Sequence, residues 1–448
     1  MRHATRGESV HTMKYNKIAL VLLPVFWPKM APLGLAALKG HLSSSGVESK
    51  CFDLNNHFYN LVSDDMKKEW LKSCNVSFES SIFDFMAKEF KSELENIVKE
   101  IFFFPVVGLT VHRSNVKTVL KFSAILKQKN KNIRIILGGP EITSRYFNDK
   151  NQLEDLLDEK GDCIVVGEGE KPILSFLNGE IEDKTIVVND EVDPKEFKVP
   201  DYSDFELREY PKSKSISVIS SRGCIKKCAF CSERLMYKGF RVYSIETVLE
   251  QIEKHFKKGV SQFIFHDSLI NGDLRYLDEL CDAIIGKFGK INWEAQIAVR
   301  RDMPDKVFQK IKKSGCYHLF IGLESGSDKT LKNIKKGFSA KEAKHFFQKL
   351  NEHNLSFGIS VIVGFPGETE EDFQESMKFI VENKQIIERI EQVNPFVFYE
   401  GIDLPEEYDY KFREESLKRT NVFIHRIKEE GFKYTKAFMK NLVEPSWK

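Results

Sequence analysis

Two series of short apolar, β-branched runs, each alternating with helical stretches, restrict the fold of this chain more than any other feature. The first series is Lys17 to Leu23, Glu48 to Leu54, Val106 to Val111, Arg134 to Leu137 and Cys163 to Val166. Helical patterns such as Leu33 to Ser45 and Asn115 to Lys129 fall between them. This alternation implies parallel pairing, because each helix carries the chain back to the starting edge of the sheet. We therefore expect an α/β fold whose residues 16–182 form a doubly wound, Rossmann-like parallel sheet. Such sheets bind ligands beyond the carboxyl ends of their strands. Turn chemistry gathers at that edge in Gly108 to Ser114, Gly138-Gly139-Pro140 and Gly167-Glu168-Gly169-Glu170. A helical insertion, residues 57–104, interrupts the pattern; its amphipathic run Ser80 to Phe104 reads as a lid or as additional core.

A charged, proline-bearing stretch, 183–214, reads as the linker. The second series begins at Ile216 to Ile219 and continues through Gln262 to Phe265, Ile291 to Gln296, His318 to Glu324, Phe357 to Val363 and Gln392 to Tyr399. These make six β/α units over residues 215–400, too few for a closed eightfold barrel, so a partial (β/α)6 barrel is expected. Residues 1–15 read as a disordered leader or an upstream start, and 401–448 as a charged helical extension.

Directly after the first strand of the second series come Cys224, Cys228 and Cys231, in Ser-Arg-Gly-Cys-Ile-Lys-Lys-Cys-Ala-Phe-Cys. A Cys-x3-Cys-x2-Cys triplet puts three thiolates on one small cluster. Four would close a [4Fe-4S] cubane, so one iron is left for a small molecule. Zinc prefers four protein ligands in two separated pairs, and no second pair is in reach. The other five cysteines are scattered, which argues against a disulfide framework.

Composition closes off other classes. Lys plus Arg (68) nearly balances Asp plus Glu (66), so no net basic field points to nucleic acid. Ile18 to Trp27 is too short to span a membrane and carries Pro24. Met1 to Tyr15 lacks the apolar core of a signal peptide. An exposed cluster and unpaired thiols fit a reducing cytoplasm.

The cysteine loop, with Phe230 between its last two cysteines, resembles that of the radical S-adenosylmethionine superfamily. The resemblance implies that the open iron chelates S-adenosylmethionine, which is reductively cleaved to a 5′-deoxyadenosyl radical. Gly322-Leu-Glu-Ser-Gly-Ser327 is similar to a family segment, which points to Glu324 and Ser325 as contacts for the amino group and ribose. Ser360 to Thr369 resembles the adenine-contacting strand and turn, with the backbone of Val363 and Gly364 as the contacts. Asp267 matches a family acidic position, and Arg300 is a candidate for the methionine carboxylate; a salt bridge at the barrel rim explains either equally well.

The first half resembles the cobalamin-binding domain fused to one branch of that superfamily, through Pro32-Leu-Gly-Leu-Ala-Ala-Leu38, Leu137-Gly-Gly-Pro140 and Val166-Gly-Glu-Gly-Glu170. The resemblance implies cobalamin at Thr110, Ser114, Gly138, Gly139, Gly167, Glu168, Gly169 and Glu170. No Asp-x-His-x-x-Gly sequence supplies a lower axial imidazole, and His41, His57 and His112 read as surface or packing residues. A scaffold that binds nothing is the alternative for this domain.

The implied activity is methylation of an unactivated carbon of a small-molecule substrate, driven by a reducing partner such as flavodoxin or ferredoxin. Radical cyclisation or rearrangement uses the same parts. A methylthiolating RNA enzyme needs a second cysteine triplet, which Cys51, Cys74 and Cys163 do not form, and an electron carrier needs a protein ligand on every iron. The residues single out no catalytic side chain.

Overall fold

The computed structural model describes residues 13–74, 81–189, 192–398 and 410–434. Residues 1–12 of the expected leader, 399–400 of the expected barrel, and 401–409 and 435–448 of the expected extension lie outside the described residues. The chain divides into two compact units, Met1–Val192 with Lys198–Tyr210, and Asp193–Phe197 with Pro211–Lys448.

The first unit is built on β1 (Lys17–Leu22), β2 (Glu48–Asp53), β3 (Val106–Thr110), β4 (Arg134–Gly138), β5 (Cys163–Gly167) and β6 (Thr185–Asn189). They pair in parallel in the order β2-β1-β3-β4-β5-β6. Direction reverses at β1, so the β1/β3 carboxyl ends form the switch point where open α/β sheets take ligands. β6 lies inside the stretch expected to be linker. Its Thr-Ile-Val-Val core is short, and β5 offers it a free edge to pair with. Further on, residues 198–210 strap this unit: Asp204 holds Lys39 at 2.5 Å and the Cys51 N–H at 2.7 Å, and the Tyr210 hydroxyl donates to Asp53 at 2.8 Å. Gly40 makes the strap possible, since a Cβ there would lie 2.1 Å from the Val199 carbonyl.

The insertion is core. Phe58, Trp70, Phe83, Met86 and Ile101 are buried in one cluster with Val107 and Leu109 of β3 and Phe122 of the helix Val116–Lys129. Trp70 Nε1 and the Phe26 N–H both donate to Asn55 Oδ1, which ties the insertion to the loop after β1.

In the second unit, β7 (Ser215–Val218) is followed by a short antiparallel pair, β8 (Ser221–Arg222) and β9 (Arg241–Val242), which brackets the cysteine loop. Then come β10 (Gln262–Phe265), β11 (Trp293–Ile297), β12 (Cys316–Glu324), β13 (Phe357–Val363), β14 (Arg389–Pro395) and β15 (Lys433–Tyr434). The sheet β7-β10-β11-β12-β13-β14-β15 is parallel and open, as six β/α units require. β15 adds a short seventh strand from the tail expected to be wholly helical; the helix Tyr410–Glu429 returns the chain to that edge. One face is dry: Leu319, Ile321, Leu323, Phe357 and Ile359 are fully buried. Their neighbours Phe320, Gly322 and Ile362 are half-buried and Gln296 is exposed, so the opposite face is open to a ligand.

Candidate active site

The cysteine loop is held from both ends. Asp267, fully buried after β10, accepts through Oδ1 from the Ser220 N–H (3.0 Å), the Ser220 hydroxyl (3.0 Å) and the Ser221 hydroxyl (2.6 Å). Burial pushes its carboxyl up to about 6, against the pull of those serine donors. Asp267 Oδ1 therefore anchors the chain that leads into the loop, while its Oδ2 is buried with no hydrogen-bond partner among the described residues. Gly223 follows at φ +78, where a Cβ would sit 1.9 Å from the Gly239 carbonyl; only glycine lets β8 and β9 close here.

Within the loop Cys228 is buried and Cys224 and Cys231 are half-buried. The Lys226 N–H donates to Cys224 Sγ at 3.4 Å, and the Cys231 N–H to the Cys228 carbonyl at 3.2 Å. Burial pushes all three thiols up, Cys231 to about 11; Cys228 further raises Cys224 and Cys231, and Cys224 further raises Cys231. Among the described residues no three His, Cys, Asp or Glu side chains converge on a single-ion position. A cubane does not ask for that, because it spreads three thiolates over three irons.

Behind the loop sits a feature the sequence reading missed. The Ala229 N–H donates to the Ile334 carbonyl at 2.9 Å. Ala229, Ile334, Phe365 and Phe396 form a buried apolar cluster, with Phe230, Ile362 and Phe398 packed on it and partly open. Lys336, only 9 % exposed, reaches past Phe230 (5.9 Å to the ring centroid) and Phe338 (5.8 Å) to Glu324 Oε1 at 3.2 Å. Ser360 Oγ donates to Glu324 Oε2 at 3.0 Å. Glu324 is re-aimed by a register shift between Gly322 and Glu324 and sits at φ +69, a strained position for a non-glycine residue. Gly322 leaves room for the pair, since a Cβ would meet Glu324 Oε1 at 2.2 Å and Lys336 Nζ at 3.1 Å. A lysine twelve residues downstream carries no spacing signal, so only the fold reveals it.

The other expected contacts are committed internally. Ser325 is buried against Ser376, Oγ to Oγ 2.6 Å, and also accepts from the Ser327 N–H. Arg300 is the rim salt bridge: Nε and Nη2 hold Asp302, and Nη1 donates to the Asn271 and Gly272 carbonyls. The Val363 carbonyl accepts from the Phe396 N–H at 2.8 Å. The Gly364 N–H donates to Glu368 Oε2 at 2.6 Å and its carbonyl accepts from Ser416 at 3.4 Å. A carbonyl keeps a second lone pair but an N–H does not. The Val363 and Gly364 carbonyls each accept one such bond, and Ile362 and Phe230 are half-buried.

Glu368 gives a pH prediction. Burial pushes its carboxyl up to about 7 from an ordinary 4.5, with Gly364 and Arg419 pulling down and Asp372 and Glu370 pushing up. The folded state thus holds this proton more tightly than the unfolded chain. The contribution is full below the ordinary value and is lost as pH rises through about 7. Glu368→Gln, which keeps an acceptor for Gly364, should shrink the fall in Tm between about pH 5 and about pH 8. An unchanged fall would contradict this.

In the first unit the carboxyl edge presents backbone. Helices Leu33–Ser44, Pro140–Asn148 and Glu170–Asn178 begin at Pro32, Gly139 and Gly169 with no side-chain cap. Thr110, Gly138, Gly139, Gly167 and Gly169 are half-buried there. Ser114, Glu168 and Glu170 turn inward: Ser114 Oγ donates to the Val25 carbonyl at 2.6 Å, Glu168 accepts from the Val192 N–H, and Glu170 is 6 % exposed. Gly139 (φ +117) and Gly167 (φ +83) are glycine for the chain's own sake, since a Cβ would meet the Val111 carbonyl at 2.8 Å and the Asn189 carbonyl at 2.2 Å. Gly138 meets only ordinary contacts at 3.5 Å and Gly34 meets nothing within 4 Å. Neither glycine is required by its own packing, and both suit a flat ligand pressed against backbone. At the switch point His112 stacks on Phe26 at 4.2 Å, and burial pushes its imidazole down to about 4, so it stays neutral.

Residues 218–380 match the Radical SAM superfamily. Among curated relatives, the chain is 27% identical over 323 residues to the uncharacterized methyltransferase PH0819 of Pyrococcus horikoshii, covering 66% of this chain and 68% of that one. It is also 27% identical over 319 residues to the ribosomal protein uS12 methylthiotransferase RimO of Petrotoga mobilis, covering 68% of each. Among solved structures it resembles the cobalamin-dependent S-adenosylmethionine radical enzyme OxsB, with a TM-score of 0.65 and 18% identity. That likeness covers 93% of this chain but only 56% of OxsB, and at this identity it shows the fold alone. No helix among the described residues is long and apolar enough to cross a membrane.

Proposed function

We propose that this chain, a radical SAM enzyme through its residues 218–380, uses cobalamin in its first unit to methylate an unactivated carbon of a small polar substrate. The observation that carries this reading is the loop of Cys224, Cys228 and Cys231 set against the buried Lys336–Glu324 pair at the open edge of the second sheet. When bound, a [4Fe-4S] cluster supplies the electron that splits the sulfonium of S-adenosylmethionine, and cobalamin supplies the methyl group. Cys224, Cys228 and Cys231 hold the cluster. Glu324, whose oxygens each keep a lone pair beyond Lys336 and Ser360, accepts from the ammonium of S-adenosylmethionine. Phe230 and Ile362 offer the apolar surface for adenine and exclude water from it. The half-open face with Gln296, Gln392 and Asn394 suits a substrate that hydrogen-bonds. Thr110, Gly34, Gly138 and the uncapped helix starts hold cobalamin.

Methyl transfer is favoured over methylthiolation by the cysteines of the first unit. Cys51 lies on β2, Cys163 on β5 and Cys74 after the helix Asp64–Ser73, so they form no second triplet. Burial raises each thiol well above its ordinary range, to about 12 for Cys74 and Cys163. A reducing cytoplasm and a low-potential donor such as flavodoxin or ferredoxin complete the requirements.

Protein produced with cobalamin should retain it stoichiometrically, with the base-off absorbance form dominant because no Asp-x-His-x-x-Gly sequence supplies a lower axial imidazole. Failure to retain cobalamin would return the first unit to an empty scaffold. With the true substrate, a product heavier by one methyl separates methylation from cyclisation or rearrangement.

A further inference from the structure

The ammonium of Lys336 is largely shielded from solvent. Its Nζ pairs with Glu324 Oε1 at 3.2 Å beside the Phe230 and Phe338 rings, which holds it as a cation. It stands beside Phe230, between two cysteines of the loop, and its own segment is pinned to that loop by the Ala229–Ile334 hydrogen bond. Glu324 is the buried anion that balances Lys336. A cluster on three thiolates is net negative, and one added electron makes it more so. A fixed charge in a low-dielectric setting acts on that electron strongly.

We propose that Lys336 and Glu324 are an opposed charge pair that sets the reduction potential of the cluster held by Cys224, Cys228 and Cys231. Lys336 favours the electron and Glu324 disfavours it. Neither exchanges a proton when the cluster is reduced; the electron comes from the external reductant. The inference rests on the proposed cluster, and its failure is distinct from the failure of that reading, because a wild-type protein without a cluster gives no reducible signal at all.

The test is a redox titration of anaerobically reconstituted protein without S-adenosylmethionine, followed by electron paramagnetic resonance of the reduced cluster. Lys336→Met should shift the oxidised-to-reduced equilibrium about tenfold against reduction, or about 59 mV for one electron. Glu324→Gln should shift it in the opposite direction, and Lys336→Arg, which keeps the charge, should stay within a few-fold of wild type. Opposite shifts at full iron content are the signature that a merely structural role would not give. Unshifted midpoints, or shifts of the same sign in both variants, would overturn the inference. Should Lys336→Met fail to take up iron, Glu324→Gln still decides: a midpoint equal to or below wild type overturns it.

Discussion

Cys228→Ala loses both the cluster and all 5′-deoxyadenosine formation. Cys228 is the buried member of the triplet, its carbonyl accepts from the Cys231 N–H, and the next residue is pinned to Ile334. Two remaining thiolates cannot hold three corners of a cubane, so the loss should be complete rather than partial. The comparison is Cys281→Ala. Cys281 is fully buried in the helix Leu274–Phe288, where burial pushes its thiol up to about 12 and Ser314 donates to it at 3.6 Å. Removing that sulfur should cost about 1 kcal/mol of stability and leave cleavage intact. The measurement is iron content with chromatography of 5′-deoxyadenosine. Undiminished cleavage by Cys228→Ala would remove the cluster assignment.

Thr110→Trp empties the first unit of cobalamin and stops methylated product while S-adenosylmethionine cleavage continues. Thr110 ends β3 at the half-open carboxyl edge, where a large aromatic is compatible with a strand but occupies the space a flat ligand needs. Its backbone carbonyl can keep the Asn115 hydrogen bond (3.2 Å), so the fold should survive. Retention should fall at least about tenfold, equivalent to about 1.4 kcal/mol of binding. Gly139 is the wrong place for this test: at φ +117, with the Val111 carbonyl 2.8 Å from a Cβ, a larger residue strains the chain whether or not a ligand binds there. Full retention by folded Thr110→Trp would place cobalamin elsewhere.

The strands were legible because each is an apolar run bounded by turns, and every run expected before Thr185 became one of β1 to β5. β6 was hidden in a charged stretch, since an edge strand needs few apolar residues to pair. The cysteine triplet was legible because ligands of one cluster must be close in sequence on one loop. The rest of the site was less so, since a motif names residues but not their partners. Ser325, Arg300, Asp267, Ser114 and Glu168 have Ser376, Asp302, Ser220, Val25 and Val192 as partners, which no motif names. Lys336 gave no signal because its meaning comes from Glu324 and Phe230, which the strand-to-helix turn brings beside it.

The most direct measurement is 5′-deoxyadenosine formed by wild-type protein reconstituted with iron and sulfide and given S-adenosylmethionine and a strong reductant. The account predicts formation that requires both the reductant and an intact Cys224, Cys228 and Cys231. A protein that carries its full cluster, reduces it, and yields no 5′-deoxyadenosine would contradict the account and leave an electron carrier in its place.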